Sequence, residues 1–258
     1  MTGAALVVHQ FRYDQKLFWR NPAAVFFTVV LPLIFLVLFN SIFGGGTTVV
    51  DGRRVGTSTY LVPGIITLAI VSATFVNLAI AVTTAREQGA LKRIRATPLP
   101  LRVYIAARVG TSIVVSLLML ALLMAVGRLA YDVALPTSTI PAVLVALVVG
   151  AASLCTLGFA ITTAIPTENA APAVVNAIVL PLYFVSGVFV GEEDLPAGMR
   201  RAGDLFPVKH LFRAMLTAFD PGTGGAGFEP GHLAAVTAWG SVGLVVAVAT
   251  FRWAPRSR

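Results

Sequence analysis

Residues 61–85 read LVPGIITLAIVSATFVNLAIAVTTA, a run without one charged side chain. At 1.5 Å per residue, a helix of this length exceeds the roughly 30 Å hydrocarbon core of a bilayer. The next residues, REQGALKRIRATPLP at 86–100, reverse the composition at once. An apolar run ended by clustered Lys and Arg is the pattern of a membrane crossing that finishes on the cytoplasmic side.

The same pattern recurs in both directions along the chain. Spans are expected at 23–43, 61–85, 103–127, 141–165, 170–190 and 233–251, with Arg108 the one charge inside any of them. Of the 258 residues, 57% are hydrophobic and 12% charged, where soluble domains carry about 25% charged residues. Mean hydropathy is +0.86. Barrel strands would read as segments of about 10 alternating residues, and no such segments occur. The expected fold class is an all-α membrane protein with six transmembrane helices in a domain at 23–258, preceded by an amphipathic helix within 1–22.

An even number of crossings puts both termini on one side. With the N-terminus inside, the cytoplasmic segments hold 12 of the 19 Lys and Arg residues and the opposite side holds 7, so both termini are expected in the cytoplasm of a multi-pass plasma-membrane protein. The net charge of +8 is explained by these flanks, and no soluble basic domain points to nucleic acid. The N-terminus lacks a compact signal-peptide pattern and is expected to be retained. In the first helix His9, Arg12, Lys16 and Arg20 gather on one side, opposite Leu6, Val7, Phe11, Tyr13, Leu17 and Phe18. It reads as an interfacial helix on membrane lipids, or as a basic flank of the first span. Asn21-Pro22 suits a cap and first-turn proline. Arg108, about one turn from the cytoplasmic end of its span, is placed to snorkel.

The chemistry the sequence lacks narrows its function. Lys16, Lys92 and Lys209 are the only lysines and none follows a glycine, so the chain has no P-loop. His9, His210 and His232 are scattered without metal spacing, and the single Cys155 excludes an internal disulfide. No catalytic group and no metal site is expected. The spans contain no Asp, Glu or Lys, which weighs against the alternative of a nucleotide-independent secondary carrier or channel.

Polar residues inside the spans fall into two rows. At 100° per residue Thr67, Thr74, Asn77 and Thr84 share one face of the second span. Asn176, Tyr183, Ser186 and Gly187 share one face of the fifth. Thr67, Thr74, Asn77, Asn176, Tyr183 and Ser186 are therefore candidate substrate-pathway residues, although helix packing by small and hydrogen-bonding residues uses the same types. The segment 187–231 is too polar to cross and too apolar for a plain loop. Pro196 and Pro207 each suit a helix start, and Leu211, Phe212, Met215, Leu216 and Phe219 make a stripe. These short helices either rest on the external surface or re-enter the bilayer as a hairpin.

In the connection after the second span, Leu91 and Ile94 form an apolar pair among Lys92, Arg93 and Arg95, and Pro98 and Pro100 stop the helix. Positive-inside anchoring would account for the charges alone. The stretch from Arg86 to Pro98, however, resembles the cytoplasmic connection of type-2 ABC exporter permeases, the family of daunorubicin-resistance-type and nodulation-type exporters. Ser186-Gly187-Val188-Phe189, then Leu195-Pro196 and Phe206-Pro207-Val208, are similar to that family's fifth-span ending and external re-entrant segment. Glu192-Glu193-Asp194 departs from the pattern. The resemblance implies that 86–98 is a coupling helix that inserts into an ATPase subunit. It assigns that contact to Arg86, Glu87, Gln88, Gly89, Leu91, Lys92, Arg93, Ile94, Arg95 and Pro98, with Leu91 and Ile94 filling a groove on the partner. It places Gly187, Pro196, Pro207 and Phe212 in the re-entrant segment. It further implies two copies of a P-loop ATPase that bind ATP and Mg, a second permease chain, identical or homologous, and export of an amphipathic drug, lipid or glycan.

Overall fold

The computed structural model describes residues 3–96, 100–219 and 225–250. Pro98, the segment 220–224 and Phe251 lie outside them. Helix α1 is Gly3–Trp19 and α2 is Pro22–Phe43. The Asn21 side chain accepts from Ala24 N at 3.2 Å, and Pro22 occupies the first turn, where its missing N–H costs nothing. Within α2 the turn Phe26–Val30 widens to π geometry, Leu31 N reaching back to Phe26 O. Pro32 follows directly, and a proline ring clashes with the carbonyl four residues earlier, so the backbone opens there.

Strands β1 (Thr47–Val50) and β2 (Arg53–Gly56) form an antiparallel hairpin in which Val50 pairs with Arg53. Its two-residue turn places Asp51 at φ 49 and Gly52 at φ 74, both left-handed, the geometry that matches strand twist.

Helix α3, Thr57–Glu87, is the axis of the molecule. Every residue from Tyr60 to Val71 is buried, as expected of a helix that is apolar all round. It carries a second π turn, Ser72–Val76, closed by Asn77 N to Ser72 O. Around it stand α4 (Ala90–Arg95), α5 (Leu101–Tyr131), α6 (Ile140–Ile161), α7 (Ala171–Val185), α8 (Ala197–Gly203), α9 (Pro207–Phe219) and α10 (Pro230–Thr250). Helices α6 and α10 approach most closely: a Cβ on Gly240 would lie 2.8 Å from Ser153 Cα, and Thr156 Oγ1 donates to Gly240 O at 2.7 Å. Small residues that let two backbones meet are the usual way helices associate in lipid.

Among the described residues, five helices are long and apolar enough to cross a membrane: α2, α3, α5, α6 and α10. The fifth expected span, 170–190, is the shorter α7, whose 15 residues cover about 22 Å. Its last turn follows Pro181 and gives way to Gly187 at φ 78, a left-handed backbone that ends the helix. Helix α1 docks against α5 through Phe11, Asp14 and Phe18, while Arg12, Lys16 and Arg20 face outward.

Candidate functional site

The cytoplasmic connection is a tight elbow. Gln88 N bonds Thr84 O and Gly89 N bonds Arg86 O, both at 3.0 Å, and Gly89 at φ 71 turns the chain into α4. A left-handed glycine just past a helix end is the common way to satisfy its last carbonyls. Leu91 is fully buried among Leu78, Val82, Tyr104, Cys155, Phe159 and Ala247, and Ile94 packs on the same cluster. The apolar pair therefore anchors α4 to its own bundle, where the expectation was a groove on a partner. A two-turn helix beside the ends of four longer ones buries its hydrophobic side inward first. Gln88, Lys92 and Arg93 are exposed and Glu87 is half-buried, while α4 ends at Arg95.

Arg86 is only 2% exposed. Its Nη1 donates to Thr162 O at 2.7 Å, its Nη2 to Ile165 O at 2.8 Å, and its Nε to Glu87 Oε1 at 2.9 Å. Beside it Gln88 Nε2 donates to Glu168 Oε2 at 3.0 Å. The elbow is thus bound to the α6–α7 link.

Arg108, expected to snorkel, keeps 16% of its side chain exposed and turns toward α1. Its Nε lies 3.5 Å from Asp14 Oδ2, and its guanidinium stands over the Tyr104 ring, 5.4 Å from the centroid. Burial pushes the Asp14 carboxyl above the usual range, opposed by Arg108 and by Gln10, which donates to it at 3.0 Å.

Of the candidate pathway residues, Thr67 and Thr74 are fully buried and bond back to their own helix, at Pro63 O (2.9 Å) and Ile70 O (2.6 Å). Tyr183 joins α7 to α3 by donating to Leu68 O at 3.2 Å, with Ser72 Oγ 3.4 Å away. Ser186 is buried and donates to Leu182 O. Asn77 is half-buried, and Asn176 is exposed on the outer side of α7. Thr67, Thr74, Tyr183 and Ser186 thus lie in the interior, away from Asn176.

At the opposite end, Tyr60 donates to Gly187 O and meets the Phe212 ring edge to face, centroids 5.3 Å apart. Pro207 opens α9 in a buried position, and Pro196 precedes α8 at the surface. Arg213 grips Glu192 with two bonds, at 2.9 and 2.6 Å, and reaches Asp51 on the β-hairpin at 3.1 Å. Lys209, almost fully buried, pairs with Asp204 at 2.5 Å and lies 3.6 Å from Glu192. The His210 and His232 Nδ1 atoms meet at 2.9 Å. Asp51, Glu192 and Arg213 of this network, with Tyr60, Arg200 and Phe212, line a cavity of about 130 Å³. No sequence motif marks these contacts, and the one signal is the presence of acids and bases in an otherwise apolar segment.

Residues 6–219 match the family model described as ABC-2 type transporter. A Bacillus subtilis (strain 168) protein provisionally named as transport permease YvfS is 24% identical over 198 residues, which cover 77% of this chain and 79% of that one. With several apolar helices long enough to cross a membrane and a family match over most of its length, this multi-pass membrane chain belongs to the ABC-2 type transporter family.

Proposed function

We propose that the chain is the permease subunit of an ATP-driven exporter that takes its energy from a separate P-loop ATPase. The observation that carries this reading is the elbow at Gly89: a short cationic helix held against the bundle by Leu91, with Lys92 and Arg93 turned outward. ATP and Mg belong to the partner, since this sequence has no P-loop lysine. In this reading α7 is a sixth crossing, both termini and α4 are cytoplasmic, and two chains dimerise around a pathway. Two ATPase subunits bind the two elbows.

The α8–α9 pair is read as an external re-entrant hairpin. Leu211 touches Gly150, midway along α6, and Trp239 Nε1 donates to Leu205 O from the middle of α10. These contacts put the turn between α8 and α9 level with the middle of α6 and α10, Gly203 buried and Leu205 exposed on its outer side, which supports the re-entrant reading where protein or water covers the backbone. The pairing of Lys209 and Arg213 with Glu192, Asp204 and Asp51 suits charges carried to that depth. The class of cargo is an amphipathic drug, lipid or glycan.

The test is reconstitution. The chain alone in proteoliposomes should hydrolyse no ATP; with its P-loop ATPase partner, it should form a stable complex that hydrolyses ATP and exports an amphipathic dye. Hydrolysis by the lone chain, or failure to bind the ATPase, would refute the reading.

A further inference from the structure

We propose that Arg86 is the positioning residue that carries movement of α4 to the cytoplasmic ends of α6 and α7, an inference that rests on the reading of α4 as the ATPase contact. By chain connectivity α4 belongs to α3, which precedes it, and to α5, which follows. It has no direct covalent connection to α6 or α7. The Arg86 guanidinium supplies a route through Thr162 O and Ile165 O, one hydrogen bond to each. Thr162 lies just past the end of α6 and Ile165 opens the link into α7.

The chemistry suits a strut. The last carbonyls of a helix have no partner within the helix, and that end carries partial negative charge, so a cation there is held by both effects. A guanidinium is planar and rigid and can serve several acceptors at fixed angles. Here two nitrogens hold the link while the third holds Glu87 at the start of the elbow. With 2% of the residue exposed, water does not compete for these bonds. An ammonium in the same place is a single point and cannot span two carbonyls and a carboxylate. The exposed Gln88 to Glu168 bond runs alongside and is the weaker of the two ties.

From the link, movement has two ways onward. Helix α6 is locked to α10 at Thr156 and Gly240, and α7 is tied to α3 through Tyr183 and Leu68. Beside the non-directional apolar packing of Leu91 on α6 and α10, Arg86 thus gives a push on α4 a directional tie toward both sides of the bundle.

The experiment uses the complex with its ATPase in nanodiscs and proteoliposomes, on a Cys155→Ala background, comparing wild type, Arg86→Lys and Arg86→Gln. The readouts are ATPase binding, melting temperature, and dye exported per ATP hydrolysed. The expected result is a loss of about tenfold in export per ATP for both variants, the loss of a charged hydrogen-bond tie expressed as coupling, with the ATPase still bound. Joining Gln88→Cys to Glu168→Cys with a short bifunctional thiol reagent should restore export in Arg86→Gln. Export falling only in proportion to a lowered melting temperature or to ATP turnover, with no rescue by the cross-link, would make Arg86 a purely structural residue and overturn the proposal. A wild-type complex that binds ATPase and exports, beside variants that couple equally well, overturns the Arg86 role while leaving the permease reading intact. Wild type that neither binds the ATPase nor exports refutes both.

Discussion

Arg213 and Glu192 face each other as two parallel hydrogen bonds, Nε to Oε1 at 2.9 Å and Nη2 to Oε2 at 2.6 Å, joining α9 to the turn before α8. Both side chains are mostly shielded, at 20% and 12% exposure. Removing Arg213 takes both hydrogen bonds from Glu192 and leaves it Lys209 at 3.6 Å, so Arg213→Ala should cost about 2 kcal/mol, scaled down from fully buried pairs for the residual exposure and the remaining cation. Exchanging both for apolar residues, Arg213→Met with Glu192→Leu, should recover most of that. Thermal unfolding in nanodiscs reads the difference, and additive losses in the double variant would show that the pair is not coupled.

Asp14 and Arg108 make a charged contact between α1 and α5, with the Asp14 side chain fully shielded and 16% of Arg108 exposed. Arg108→Ala should release α1 from the bundle, at a cost of about 3 kcal/mol, because a buried carboxylate loses its counter-charge. Asp14→Asn in the same background should return much of it by removing the stranded charge. Limited proteolysis near Arg20 would report α1 detachment, and an unchanged digestion pattern in Arg108→Ala would contradict it.

The elbow separates a folding residue from contact residues. Leu91→Asp places a carboxylate in a fully buried apolar site and should cost at least about 3 kcal/mol, enough to reduce folded protein sharply. Lys92→Glu with Arg93→Glu changes only exposed positions. It should leave the monodisperse peak in size-exclusion chromatography intact yet abolish ATPase capture. Normal capture by the charge-reversed protein would remove α4 from the contact.

Orientation is testable at two exposed sites. On a Cys155→Ala background, Arg54→Cys on β2 should react with an impermeant maleimide added outside cells, and Lys92→Cys on α4 only after permeabilisation. The reverse pattern would invert the topology that the Lys and Arg distribution implies.

The crossing helices were the legible part of the sequence, because a run of about 18 uncharged residues has few ways to hide from water except a bilayer. Helix α7 was harder: composition around 170–190 is uniformly apolar, and only Pro181 and Gly187 hint at its early end. The hairpin at Asp51-Gly52 was legible in principle, since Asp-Gly directly after the β-branched run Thr47–Val50 is a strong turn signal. The polar row of the second span assumes 100° per residue, and the π turn at Ser72–Val76 breaks that period. Thr67 and Thr74 are buried, but beyond the wide turn the inward row runs through Leu78, Val82 and Arg86, with Asn77 and Thr84 rotated to half-buried positions. Arg213 and Asp51 are 162 residues apart, and no local pattern pairs them. Arg86, too, looks in the sequence like any basic flank; its partners are backbone carbonyls, which every residue carries.

The two wide turns, Phe26–Val30 and Ser72–Val76, also bear on how this chain can change length. Each holds one residue more than an ordinary turn, because its ring closes from i to i+5 instead of i to i+4. Deleting one residue there would close the turn into regular helix and leave the faces above and below in register. The same deletion elsewhere in α2 or α3 would rotate everything beyond it by about 100° and turn buried side chains toward lipid. These are the places where related sequences can differ by a single-residue gap inside a membrane helix and still superpose, and an alignment that forbids gaps within spans will be out of step from there to the helix end.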